Sequence, residues 1–112
     1  MVDRLQQGVD DLVWTAEDTG ELTRGADNLW KWLSACSDSV RWRVVSHADT
    51  RATEHYCTFM KLRTIDRSLP SSLEGALEPL VQHHATMYHQ YSRVHTHLLA
   101  LDRAALGTAL TC

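Results

Sequence analysis

Residues 77–105 read LEPLVQHHATMYHQYSRVHTHLLALDRAA, and this stretch decides the fold predicted for the chain. Within it, mostly apolar side chains recur at alternating intervals of three and four residues. Such a heptad pattern is typical of a coiled coil or a long helical bundle, where it holds one side of a helix against another helix. The members of this C-terminal seam are Leu77, Leu80, His84, Met87, Tyr91, Val94, Leu98, Leu101 and Ala105.

The rest of the chain also has the hydrophobic period of helices, and no useful length alternates as a β-strand does. One heptad phase covers residues 2–33, but glycines weaken a helix interior, so we expect a break between Gly20 and Gly25. The cap-forming residues of 34–39 predict a turn. We therefore predict an all-α, elongated helical bundle of three long helices, or four if the first breaks. Coiled-coil-like heptad packing and a single domain over residues 1–112 complete this prediction.

Two prolines mark the boundaries of the later helices. Pro70 cannot donate a helical hydrogen bond and restricts the residue before it, so the second helix should end there. Ser71 and Glu74 have the spacing of a capping box, which predicts the start of a third helix. Pro79 follows about two turns later, so this helix either kinks or starts afresh. The inward-facing residues of the second helix are predicted to be Val45, Ala48, Ala52, His55, Phe59 and Leu62.

Charge is distributed unevenly along the chain. Residues 1–21 hold six acids and one arginine, a net charge of −5, whereas residues 41–67 hold six bases and three acids, a net charge of +3. This difference favours an antiparallel hairpin, although exposed pairs contribute only about 0 to 1 kcal/mol each. The net charge of the whole chain is −3, which disfavours general nucleic-acid binding. No apolar run is long enough to predict a membrane span.

Five of the seven histidines fall within fifteen residues, but their spacing argues against a metal or haem site. A helix brings two ligands together at intervals of three or four residues, and no two of these five have that separation. The chain also lacks the Glu-x-x-His motif by which helical bundles hold metals. We therefore predict no metal and no other cofactor, and a mixed polar interface for His83, His84, His89, His95 and His97.

His84 and Tyr91 stand in the C-terminal seam itself, where an apolar residue would pack better. Polar residues in such a seam usually set the register or the choice of partner, and they lower stability. We favour the interpretation that each finds one hydrogen-bond partner across a helical interface. The alternative is a pH-sensitive contact, because histidine titrates near neutral pH.

A second 3,4 series in the first segment includes Leu22, Gly25 and Leu29. Two apolar sides on one helix imply two neighbours, which are either two helices of this chain or one internal helix and one external partner. If this helix were straight, Trp14 and Trp32 would share one of its sides, since they lie five whole turns apart. Residues 98–110 are apolar on all sides, which favours association. The predicted partner-binding residues are Trp14, Leu22, Leu29, Trp32, Leu98, Leu99, Leu101, Leu106 and Leu110.

The function that this pattern predicts is protein–protein interaction, as a small helical subunit or adaptor that binds a partner or self-associates. The alternative is a helical-bundle enzyme or a binder of an anionic small molecule, with Arg41, His55 and His84 holding the anion. We do not expect an enzyme, because the chain has none of the nucleophile, phosphate-loop or zinc-protease motifs. The absence of a signal-peptide pattern and the three scattered cysteines predict an intracellular protein with reduced thiols.

Overall fold

A computed structural model describes the backbone of residues 2–111 and the side chains of residues 2–105. The described part contains helices and no strand, and it measures 63 × 26 × 22 Å. The prediction of an elongated all-α bundle is thus confirmed, in its four-helix form. None of these helices is long and apolar enough to cross a membrane. The helices are α1 (Val2–Thr15), α2 (Thr19–Leu33), α3 (Asp38–Ser68) and α4 (Glu78–Thr111).

The first segment breaks earlier than we predicted, at residues 16–18 rather than between Gly20 and Gly25. Asp18 is the N-cap of α2, and its Oδ1 accepts a hydrogen bond of 2.7 Å from the backbone N–H of Glu21. The side chain of Glu21 in turn accepts from the backbone N–H of Glu17 at 2.9 Å. This exchange satisfies donors that a helix start leaves unpaired, so the cap determines the boundary.

Gly25 lies inside α2 and serves close packing. A Cβ atom at this position would lie 2.1 Å from Cδ1 of Leu12 on α1. A side chain at position 25 would have to displace the side chain of Leu12, so the glycine allows α1 and α2 to approach each other.

The turns around α3 follow the sequence-based predictions at both of its ends. Ser37 is the N-cap of α3 and accepts from the backbone N–H of Val40 at 3.4 Å. The helix ends at Ser68, two residues before Pro70. Both boundaries arise from local causes, namely a capping hydroxyl and an imino acid that cannot continue a helix.

The start of α4 differs from the predicted capping box. Ser71 and Glu74 lie in the turns of residues 71–77, and the helix begins afresh at Glu78, with Pro79 in its first turn. The carboxylate of Asp66, on the last turns of α3, accepts from the backbone N–H groups of Gly75 and Leu77 at 3.2 Å each. A residue of the preceding helix therefore satisfies two backbone donors just before α4, and Pro79 has no N–H that would need an acceptor in the first turn.

The two short helices cover only part of the two long ones. α1 and α2 have 14 and 15 residues, whereas α3 and α4 have 31 and 34. At 1.5 Å per residue, helices of about 22 Å lie beside helices of about 46 to 51 Å. The cluster of buried core residues accordingly takes its α3 and α4 members from residues 44–52 and 87–98. We call the four-helix part the base and the projecting α3–α4 hairpin, residues 56–82, the arm.

Burial along the C-terminal seam follows this division. Met87, Tyr91, Val94 and Leu98 are buried in the base. Leu80, in the arm, is 49% exposed although it belongs to the same sequence pattern. The core of the base consists of Val9, Val13, Leu22, Ala26, Leu33, Val44, Val45, Ala48, Ala52, Met87, Tyr91, Val94 and Leu98.

Candidate functional site

Helix α3 has a packed side and an exposed side. On the packed side Val45, Ala48 and Ala52 are buried and the rings of His55 and Phe59 are half-buried, in agreement with the prediction. A second series lies one residue further along the chain, about 100° around the helix from the packed side, and recurs at alternating intervals of four and three residues over residues 42–67, about 37 Å of helix. All its members except the half-buried Ser46 are exposed. This outer stripe consists of Trp42, Ser46, Asp49, Thr53, Tyr56, Met60, Arg63 and Arg67.

The outer stripe combines large apolar side chains with opposite charges. Trp42, Tyr56 and Met60 are 66%, 44% and 42% exposed, respectively. Asp49 and Arg63 form no ion pair within the described part of the chain. The pattern was missed in the sequence because only three of its eight positions are large and apolar, although its 3,4 spacing is visible there.

The predicted partner-binding residues whose side chains the structure describes differ in exposure. Trp14 and Trp32 are both exposed, but the break at residues 16–18 places them on different helices, so the predicted shared side is wrong. Leu22 and Leu98 belong to the chain's own core. Of the others, Leu29 and Leu99 pack partly buried against the core and Leu101 is half-buried, whereas Leu106 and Leu110 lie outside the described side chains.

The second apolar series of the first segment finds its neighbour inside the chain. Gly25 approaches Leu12 of α1, and a Cβ at Gly8 of α1 would lie 3.0 Å from Leu29. Ala26 and Leu33, on the other apolar side of α2, join the core. Both neighbours of α2 are thus helices of this chain. Of the two alternatives, two internal neighbours or one internal and one external neighbour, the structure shows the first.

A polar layer joins α1, α3 and α4 in the middle of the molecule. The Nδ1 atoms of His84 and His55 lie 3.0 Å apart, and the ring of Tyr91 stacks on that of His55 with the centroids 5.6 Å apart. The hydroxyl of Tyr91 donates to Oδ1 of Asp10 at 2.6 Å, and Nε2 of His47 lies 3.0 Å from the same oxygen. His84 and Tyr91 therefore each have a hydrogen-bond partner across a helical interface within the chain.

Burial shifts the titration of this layer. The pKa of His55 is lowered by burial first and then by the neighbouring rings of His84 and His83. Burial, followed by the charge of His83, likewise lowers the pKa of His84. The pKa of Tyr91 is raised by burial first and then by the negatively charged Asp10 carboxylate, which accepts a hydrogen bond from the tyrosine hydroxyl. Both paired imidazoles therefore favour the neutral form, in which one ring donates a hydrogen bond to the other.

Spacing along one helix did not predict the contact between His55 and His84, because they belong to different helices, 29 residues apart. Among the described residues, no three side chains of histidine, cysteine, aspartate or glutamate are placed to hold a metal ion. The contact between the two histidines is explained by a hydrogen bond between neutral rings.

Arg41 lies far from the two histidines with which the alternative function grouped it. Its guanidinium pairs with Asp38, lies 3.7 Å from Asp102, and donates to the carbonyl of Cys36 at 2.6 Å. A groove of about 520 Å³ adjoins it, but the arginine is already neutralised there by two carboxylates. The groove is lined by Trp30, Ser34, Asp38, Arg41, Trp42, Val45, Leu99, Asp102 and Ala105.

The fold is thus a helical bundle in which one side of α3 carries three large exposed apolar side chains, Trp42, Tyr56 and Met60. Comparison of the chain with known protein families, with characterised proteins and with solved structures found no match. The function is therefore inferred from the geometry of this chain's own residues.

Proposed function

We propose that this protein is a protein–protein interaction module, a small helical subunit whose outer stripe packs against a helix of another polypeptide. The observation that carries the proposal is the exposure of three large apolar side chains, Trp42, Tyr56 and Met60, at heptad positions on one side of α3. Heptad spacing on a helix surface produces a straight seam that a second helix can follow along its length.

The composition of the outer stripe suits a protein partner. Tryptophan, tyrosine and arginine are the residues that most often dominate binding energy at interfaces, and methionine adapts to irregular surfaces. The stripe contains all four types, in Trp42, Tyr56, Met60, Arg63 and Arg67.

The free energy available from burying the outer stripe restricts the kind of partner. Complete burial of a large apolar side chain contributes about 1.5 to 3 kcal/mol, and Trp42, Tyr56 and Met60 are already about half-buried. Association costs about 4 kcal/mol or more in lost motion. Three such side chains do not offset that cost alone, so the partner helix must bring apolar residues of its own.

The outer stripe is a different surface from the one predicted at the C-terminal end. Leu98 is part of the core and Leu99 packs against it. The outer stripe, by contrast, runs along α3 through both the base and the arm, and it stays largely exposed although the ring of Tyr56 packs on that of Tyr88 of α4 with the centroids 5.1 Å apart.

A photo-reactive amino acid at Met60 tests the proposal. In the native cell, a variant with this cross-linker at position 60 should attach to a protein, because that side chain lies in the outer stripe. The matched control carries the cross-linker at Asn28, which is exposed on α2. Cross-links absent at position 60, or equally strong at position 28, would show that the stripe is not a binding surface.

A further inference from the structure

We propose that the partner helix is α3 of a second copy, antiparallel to the first, so that two outer stripes form the interface of a twofold dimer. This inference rests on the proposed function and names its partner. In a twofold interface every contact occurs twice. If one residue of the first copy contacts a second residue of the other copy, the same two residues also meet with the copies exchanged.

The order of charges along the outer stripe selects this arrangement. Asp49 lies seven residues before Tyr56, and Arg63 lies seven residues after it. An antiparallel second copy therefore brings each Asp49 close to an arginine. A parallel copy would place Asp49 against Asp49 and Arg63 against Arg63, which like-charge repulsion disfavours.

The spacing of the stripe is symmetric about the midpoint between Thr53 and Tyr56. With the twofold axis at that midpoint, every stripe position of one copy lies opposite a stripe position of the other. Trp42 then lies opposite Arg67 of the second copy, where a guanidinium can stack on the indole ring. Asp49 lies opposite Met60 of the second copy and within one helical turn of its Arg63.

The dimer also supplies the apolar surface that the stripe needs. Each copy contributes Trp42, Tyr56 and Met60, so six half-exposed side chains are covered together. The arm takes part because Met60, Arg63 and Arg67 lie beyond the end of the four-helix base.

Exchange of the two charges tests the register. Wild-type protein should sediment as a dimer, and Asp49→Arg or Arg63→Asp alone should each weaken dimerisation about tenfold, because two opposite-charge contacts become two like-charge contacts. An equimolar mixture of the two variants should form a heterodimer, since an Arg and an Asp at positions 49 and 63 again lie within one helical turn of each other across the interface. The double variant should dimerise as the wild type does, and Arg43→Asp, exposed on α3 outside the stripe, serves as the matched control.

Circular dichroism of each variant shows whether the helices remain folded. If one single variant unfolds, dimerisation of the double variant still tests the arrangement of the charges. A wild-type monomer at high micromolar concentration, or a mixture that remains monomeric, overturns the proposed dimer. If position 60 nevertheless cross-links to a different protein, the interaction function stands and only the second copy is wrong. If no cross-link forms, both proposals fail.

Discussion

The His55–His84 pair is the residue-scale feature with the clearest measurable consequence. Both pKa values lie below the ordinary 6.5 of histidine. As the pH falls, the unfolded chain therefore binds protons before the folded one does. For His55, the charges of His83 and Arg51 act in the same direction as burial, and that of Glu54 opposes them.

We expect the free energy of unfolding to fall between pH 7.5 and pH 5.5, and His84→Leu to make that fall smaller. The stability contributed by the neutral pair is present above pH 6.5 and is lost as the pH drops through the lowered pKa values. Urea unfolding at the two pH values measures the change.

The control for the pH test is His89→Leu, because His89 is exposed on α4. It should keep the pH dependence of the wild type. Each variant is compared with the wild type at both pH values. If the free energy of unfolding of His84→Leu falls with pH as much as that of the wild type, the His55–His84 pair does not titrate as described.

Leu98 and Leu80 provide a second prediction at this scale. Leu98 is fully buried, so Leu98→Ala should lower the free energy of unfolding by about 2 to 5 kcal/mol through the cavity it leaves. Leu80 is 49% exposed, and Leu80→Ala should change stability by about 0.5 kcal/mol or less. Urea melts of the two variants measure the difference; equal losses would mean that the arm is as tightly packed as the base.

At the scale of the elements, helix α2 depends on its cap. Asp18→Ala removes the carboxylate that accepts from the N–H of Glu21, and we expect a loss of about 0.5 to 2 kcal/mol in the free energy of unfolding. The control is Glu17→Ala, which removes an exposed acid one residue away while keeping its backbone donor. Thermal melts compare them, and an Asp18 variant no less stable than the control would contradict the assigned helix start.

Helix α3 shows why an element can have two different roles on its two sides. Val45, Ala48 and Ala52 hold it to the bundle, and the outer stripe leaves a second heptad side in solvent. Only the packed side was predicted, since its residues are small and apolar, whereas the outer stripe mixes large apolar residues with charges.

For the whole molecule, the division into base and arm predicts unequal local stability. The arm has two helices with little burial, so its amides should open more readily than those of the core segments 44–52 and 87–98. Hydrogen exchange at low protein concentration should be faster over residues 56–68 than over residues 44–52 of the same helix. Equal protection along the whole of α3 would contradict this division.

The sequence by itself determined the features with local causes. The 3.6-residue period predicted helices, the cap at Ser37 and the proline at position 70 bounded α3, and the absence of alternation excluded strands. Each of these signals acts within a few residues, so each can be read from the order of the chain.

Only the tertiary structure decided which positions of each heptad pattern are buried and which are exposed. Leu80 and Leu98 both belong to the C-terminal seam, but Leu98 is fully buried in the base, whereas near the start of α4 it is Val81, at 4% exposure, and not Leu80, at 49%, that is buried. The break at residues 16–18 likewise separated Trp14 from Trp32, and the folded chain brought Tyr91 to Asp10, 81 residues away. Such contacts depend on how far each helix extends and which helices lie beside it, and the spacing of residues within one helix carries no information about either.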